Sequence, residues 1–150
     1  MQPMTGCLVP EKEKRNPALK RLEIFFPAIL WTVILLALCL APGNDLPQMP
    51  LLTRLHFDKL VHFCLFGGFV IFWSLAVAEI KPLPITRYVL FFTVLSVVLG
   101  IAVEFMQKYW IPGRDFEYGD MITDAIGAIA SAILFGRIRR LLESLRGRNG

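Results

Sequence analysis

The sequence predicts an all-α membrane protein, a polytopic bundle of four transmembrane helices. Three observations lead there. Mean hydropathy is +0.57 and 55% of the 150 residues are hydrophobic, more than the roughly half expected of a soluble domain. The apolar residues gather in blocks near the ~20 residues that cross a bilayer, instead of being spread through amphipathic patterns. Prolines, glycines and charges punctuate the chain between those blocks.

The elements follow in order. Residues 1–20 read as a polar cytoplasmic tail, with a mixed charge run from Glu11 to Arg15. Asn16-Pro17 has the form of a helix start, asparagine as cap and proline at the first helical position. A four-helix membrane domain then occupies residues 21–137. Its first span, about 24–41, carries no charge and serves as anchor and packing helix. Lys20-Arg21 ahead of an apolar stretch resembles a signal peptide. The long preceding region and Pro42 after the small-residue site argue for a retained span, and neither Cys7 nor Cys39 sits in a lipoprotein context. Residues 42–57, with Pro42, Pro47 and Pro50, read as a loop.

Span two covers about 58–78 and contains Gly67-Gly68, where a second helix can approach closely. A short connection, 79–86, leads to span three, 87–106, on which Gly100 and Glu104 lie one turn apart. The loop 108–119 mixes Tyr109, Trp110, Arg114, Phe116 and Tyr118, a membrane-interface composition. Span four, about 120–135, is short and rich in Gly and Ala, the composition of a helix packed inside a bundle and not turned to lipid. Residues 138–150 complete a basic cytoplasmic tail. Three cysteines, Cys7, Cys39 and Cys64, give neither a disulfide framework nor a metal motif.

Charge placement sets the orientation. Twelve of the 16 Lys and Arg residues fall before span one, between spans two and three, or after span four. Arg54, Lys59, Lys108 and Arg114 lie on the other side. The positive-inside rule therefore makes both termini cytoplasmic. It also places Asp58, His62, Glu104, Gln107, Arg114, Asp120 and Asp124 in or near the outer leaflet.

These residues form the candidate site. An ionisable side chain inside a bilayer costs about 2.5–3.5 kcal/mol at the centre on insertion scales and is normally retained for function. Asp58 and His62, and Asp120 and Asp124, are four apart and share helix faces; Glu104 and Gln107 are three apart. Span one adds nothing polar. Plainer readings compete: Asp58 and Lys59 as cap and interface residues, Gln107 as the wet end of span three, His62 as a packing histidine. Glu104 and Asp124 have apolar flanks, so a structural role requires a partner such as Arg114 or Lys59. The inventory suits three jobs: holding a phosphate or carboxylate through Arg114 and Lys59, coordinating a divalent metal, or acid/base work on a lipid-linked headgroup. No cofactor is specified.

Asp58-Lys59-x-x-His62-Phe63, Glu104-x-x-Gln107, Arg114 and Asp120-x-x-x-Asp124-x-x-Gly127, in this order and topology, resemble the VanZ-like family of small bacterial membrane proteins. The match covers about residues 55–136. The family usually carries Asn where this chain has Asp124, a departure that adds a possible negative charge; a protonated Asp124 would still donate as an amide does. The resemblance implies a bacterial cell-envelope role, and its founding member is tied to teicoplanin-type glycopeptide resistance.

The leading expectation is a bacterial inner-membrane protein that binds or modifies a lipid-linked precursor or anionic lipid headgroup. Arg114 and Lys59 would hold the anion, with Asp58, Gln107 and Asp124 also lining the binding site. His62, Glu104 and Asp120 are the catalytic candidates. His62 and Glu104 would handle protons, while Asp120 and Asp124 orient them or bind metal. The alternative is a non-enzymatic accessory or interaction subunit whose polar cluster only fixes helix packing. A transporter reading ranks below both, since four spans are few without oligomerisation and the inner half lacks charges for a through-path. The basic tail suits anionic lipid; no nucleic-acid partner is expected.

Overall fold

A computed structural model describes residues 16–41, 51–80, 84–112 and 116–148, with side chains at all of these except 51–56, 142–143 and 145–148. All regular structure among them is helical: α1 Pro17–Cys39, α2 Leu51–Ile80, α3 Ile85–Trp110 and α4 Tyr118–Arg148. Each contains a segment long and apolar enough to cross a membrane, Pro17–Cys39, Phe57–Ile80, Ile85–Trp110 and Tyr118–Leu141. The all-α four-helix expectation holds.

The side chains turned outward belong to lipid, not water. Leu90, Phe91, Val94 and Val98 on α3 are all more than half exposed, as are Leu22, Phe26 and Val33 on α1. A soluble monomer rarely leaves such continuous apolar faces uncovered.

Two boundaries move from their expected places. Asn16 caps α1, its side chain accepting from the Ala18 N–H at 3.0 Å, and Pro17 stands in the first turn. That start matches the sequence reading. The loop expected over 42–57 ends sooner, because α2 begins at Leu51. Proline restricts the residue before it and is tolerated at a helix start, so Pro50 does not prevent a helix from following. Residues 42–50 lie outside the described residues. At the other end, α4 does not stop near 135 but continues through the basic stretch to Arg148. Arg, Leu and Glu are strong helix formers, and Gly136 alone interrupts them before Gly147.

Helix α2 is the hub. It packs most extensively on α4, then on α1 and α3, while α1 barely meets α3. Phe66, Val70 and Phe69 from α2 meet Leu35, Val89, Phe92, Val103, Ala128 and Phe135 in one core. Two α1–α2 hydrogen bonds seat the outer helix: Trp31 Nε1 donates to the Leu65 carbonyl at 2.9 Å, and Trp73 Nε1 to Thr32 Oγ1 at 3.0 Å. The Gly67-Gly68 pair acts as its composition suggests. A Cβ on Gly68 would fall 2.5 Å from the Trp31 ring, and one on Gly67 would overlap Ser131 of α4.

Helix α4 corrects one expectation. Gly127 and Ala128 pack inward, yet Ile122, Ile126, Ile129 and Ile133 are half or more exposed. Small residues occupy one face and β-branched residues the opposite one, so the helix is shared between bundle and lipid.

Candidate functional site

The start of α2, the end of α3 and the start of α4 meet at one end of the bundle. Glu104 and Asp124 lie less than two turns from their helix ends, roughly 9 Å at 1.5 Å per residue. His62 lies about three turns into α2, little more than one turn past Phe57, where its apolar segment begins. There the structure gathers Asp58, Lys59, His62, Glu104, Asp120 and Asp124. Glu104 is fully buried, and His62, Asp120 and Asp124 are 1–3% exposed.

The contacts form a line across α2 and α4. Lys59 Nζ donates to Asp120 Oδ1 at 3.0 Å and lies 3.7 Å from Glu117 Oε2. The other oxygen, Asp120 Oδ2, faces His62 Nε2 at 3.9 Å, beyond hydrogen-bond range. On the far side of the ring, His62 Nδ1 meets Asp124 Oδ1 at 3.0 Å. An ionised carboxylate only accepts, so with Asp124 ionised and the ring neutral the proton sits on Nδ1 and the Nε2 lone pair turns toward Asp120. Phe66 stacks beside the imidazole, ring centroids 6.1 Å apart.

Glu104 reaches the site from α3. Its Oε2 accepts the Glu117 backbone N–H at 3.0 Å, just before α4, where amide groups carry no partner from their own helix. Among the described residues its partner is therefore this backbone amide and not Lys59, one of the two cations expected there. Arg114 lies outside the described residues. Glu104 Oε1 and Asp124 Oδ2 are buried without a hydrogen bond among the described residues. Such orphaned oxygens are uncommon and costly.

Gln107 stands apart from the ionic line. Its Nε2 donates to the Cys39 carbonyl at 2.6 Å, satisfying one of the unpaired carbonyls at the end of α1. The expectation that span one adds nothing polar is thereby corrected: its backbone contributes the acceptor. Asp58, half-buried on α2, makes no bond to another described side chain. One donor atom each from Asp58, His62 and Asp120 nevertheless lie within 4.8 Å of one another.

Glycines set the spacing. A Cβ on Gly100 would lie 2.8 Å from Asp124 Oδ2, and one on Gly119 2.7 Å from Lys59 Nζ. At Gly127 it would overlap the Phe63 carbonyl of α2. The backbones therefore close behind the His62–Asp124 pair because no side chain intervenes.

Sequence reasoning missed Glu117. The signal was an acidic residue immediately before a helix start, where acids are favoured, but the span was taken to begin at Asp120. The gathered groups are layered. Asp58, Lys59 and Glu117 form a half-buried to exposed rim, and His62, Asp120, Asp124 and Glu104 a buried floor in which only His62 and Asp124 bond to each other. A cavity of about 490 Å³ lies elsewhere, between α1, α2 and α3 beside Arg21 and Arg87.

No protein-family model, characterised protein or solved structure matches this chain.

Proposed function

We propose that the chain is a multi-pass protein of the bacterial inner membrane, of the VanZ-like type, with both termini cytoplasmic. Its outer-leaflet polar site binds or modifies a cell-envelope component, either a lipid-linked precursor or an anionic lipid headgroup. One observation carries this reading. Asp124 holds Nδ1 of His62 while Nε2, 97% buried with its residue, makes no hydrogen bond among the described residues. An imidazole held at one nitrogen, with the other left without a described partner, is an arrangement for acting on something else, a proton or a cation.

The rim fits the same reading. Lys59, with 38% of its side chain exposed, is placed to meet an anionic group arriving from the membrane surface. The order and spacing of Asp58, Lys59, His62, Glu104, Gln107, Arg114, Asp120 and Asp124 along the sequence support the VanZ-like attribution and, through it, a link to glycopeptide susceptibility. The test is complementation of a deletion strain, scored by envelope stress and glycopeptide susceptibility, with His62→Ala, Glu104→Gln and Asp120→Asn. Loss in all three is expected; wild-type behaviour from all three ends the idea.

A second reading has its own observation. Glu104 on the Glu117 N–H and Gln107 on the Cys39 carbonyl tie α3 to the ends of α4 and α1, as a packing device in an accessory subunit would. Under that reading Glu104→Gln lowers folded yield more than it changes phenotype.

A further inference from the structure

We propose that Asp58, His62 and Asp120 form a binding site for one divalent transition-metal ion, Zn²⁺ or Mn²⁺, at the mouth of the polar cluster. The inference deepens the reading of this cluster as a site and rests on it.

Three features of the geometry support it. The first is the gap between His62 Nε2 and Asp120 Oδ2. At 3.9 Å it is too long for a hydrogen bond, although both groups are buried. Two donors bound about 2.0–2.2 Å from a common ion stand up to about 4 Å apart. Asp58, one helical turn before His62, brings the third donor within 4.8 Å of both. It is half-buried and makes no hydrogen bond among the described residues, so its carboxylate can close the remaining distance.

The second is the outer layer of support. A metal-binding histidine almost always gives its other ring N–H to a carboxylate or carbonyl, which fixes the tautomer and raises the basicity of the ligating nitrogen. Asp124 stands in that place, 3.0 Å from Nδ1. Asp120 is supported likewise: Lys59 takes Oδ1 at 3.0 Å and leaves Oδ2 toward His62. Each of the two buried donors is thus held from behind with its free atom pointing into the same gap.

The third is charge. Asp58, Glu104, Glu117, Asp120 and Asp124 bring five carboxyl groups together, against one lysine and one histidine among the described residues. Glu104 lies within electrostatic range of Asp120, His62 and Asp124, and its Oε1 has no hydrogen-bond partner among the described residues. A dication in the gap offsets this excess where water cannot screen it. One imidazole with two carboxylates suits Zn²⁺ or Mn²⁺ better than Mg²⁺ or Ca²⁺, which favour all-oxygen shells. Three protein donors leave coordination positions open at the rim beside Lys59, where a phosphate oxygen would fit.

The experiment uses the full chain purified in detergent, stripped of metal, and titrated with Zn²⁺ and Mn²⁺ by calorimetry, with bound metal counted by mass spectrometry. One equivalent and a raised melting temperature are expected, undiminished by millimolar Mg²⁺. His62 also anchors Asp124, so its replacement perturbs the fold. Asp58→Asn is therefore the deciding variant: metal-free melting like wild type, but affinity at least tenfold weaker. No binding by wild type, or unchanged affinity in Asp58→Asn, overturns the metal site. If that happens while His62→Ala, Glu104→Gln and Asp120→Asn still fail to complement, the proposed function stands without the metal.

Discussion

Gly127→Ala tests the close approach that builds the site. A Cβ there overlaps the Phe63 carbonyl oxygen and falls 3.0 Å from that residue's C and Cα. These are backbone atoms and cannot rotate away. Carbon pairs settle near 3.5–4.0 Å, so α2 and α4 must separate by roughly 0.5–1 Å. His62 and Asp124 sit beside this contact on the same two helices, and their 3.0 Å bond stretches beyond useful range. Overpacking costs about 1–3 kcal/mol and a lost charge-assisted bond about 1.5–3 kcal/mol. Alanine's better helix propensity returns at most about 1 kcal/mol. The net expectation is a loss of roughly 2–5 kcal/mol. Gly136→Ala is the control: its Cβ meets only Arg140 Nη2 at 3.9 Å, so stability should stay level or rise by up to about 1 kcal/mol. Unfolding by SDS in mixed micelles, followed by tryptophan fluorescence, measures both. Gly127→Ala as stable as Gly136→Ala would refute the packing argument.

Other expectations follow from single contacts. Lys59→Met leaves the buried Asp120 carboxylate without its 3.0 Å partner and should cost about 1–3 kcal/mol; adding Asp120→Asn should recover most of that in a double-mutant cycle by the same melts. Asp124→Asn keeps an acceptor for His62 Nδ1 and supplies the VanZ-like residue, so it should fold within about 1 kcal/mol of wild type and still complement. Gln107→Leu releases the Cys39 carbonyl and should speed amide hydrogen exchange in the last turn of α1 about tenfold, equivalent to one neutral hydrogen bond. A C-terminal reporter should be active only in its cytoplasmic form; an external signal reverses the assignment of the site to the outer leaflet.

The spans were legible because crossing a bilayer demands length and apolarity, both properties of sequence alone. Their ends were less so. Pro50 looked like part of a loop although a proline restricts mainly what precedes it, and the arginines after Gly136 looked like a tail although they propagate a helix well. The gathering of Asp58, His62, Glu104, Asp120 and Asp124 was also legible, since topology and i, i+4 spacing place all of them at one end. Who pairs with whom was not. Asp124 takes His62 and Asp120 takes Lys59 because of helix rotation, which depends on Gly67, Gly100 and Gly127 fitting their neighbours. Backbone partners were hidden altogether: nothing in side-chain identity shows that Glu104 would use the Glu117 N–H, or that Gln107 would reach the carbonyl of Cys39.

The central claim is that the buried polar cluster acts on a ligand and is not merely a packing device. Glu104→Gln separates the two most directly. Glutamine keeps an oxygen for the Glu117 N–H and matches the shape of glutamate at Oε1, which has no hydrogen-bond partner among the described residues, so the fold should tolerate it while the carboxylate chemistry is removed. Folded yield in detergent and complementation, measured on the same strain, should show wild-type yield with the phenotype lost. Full complementation, or a phenotype that falls only in proportion to a reduced yield, would contradict the account.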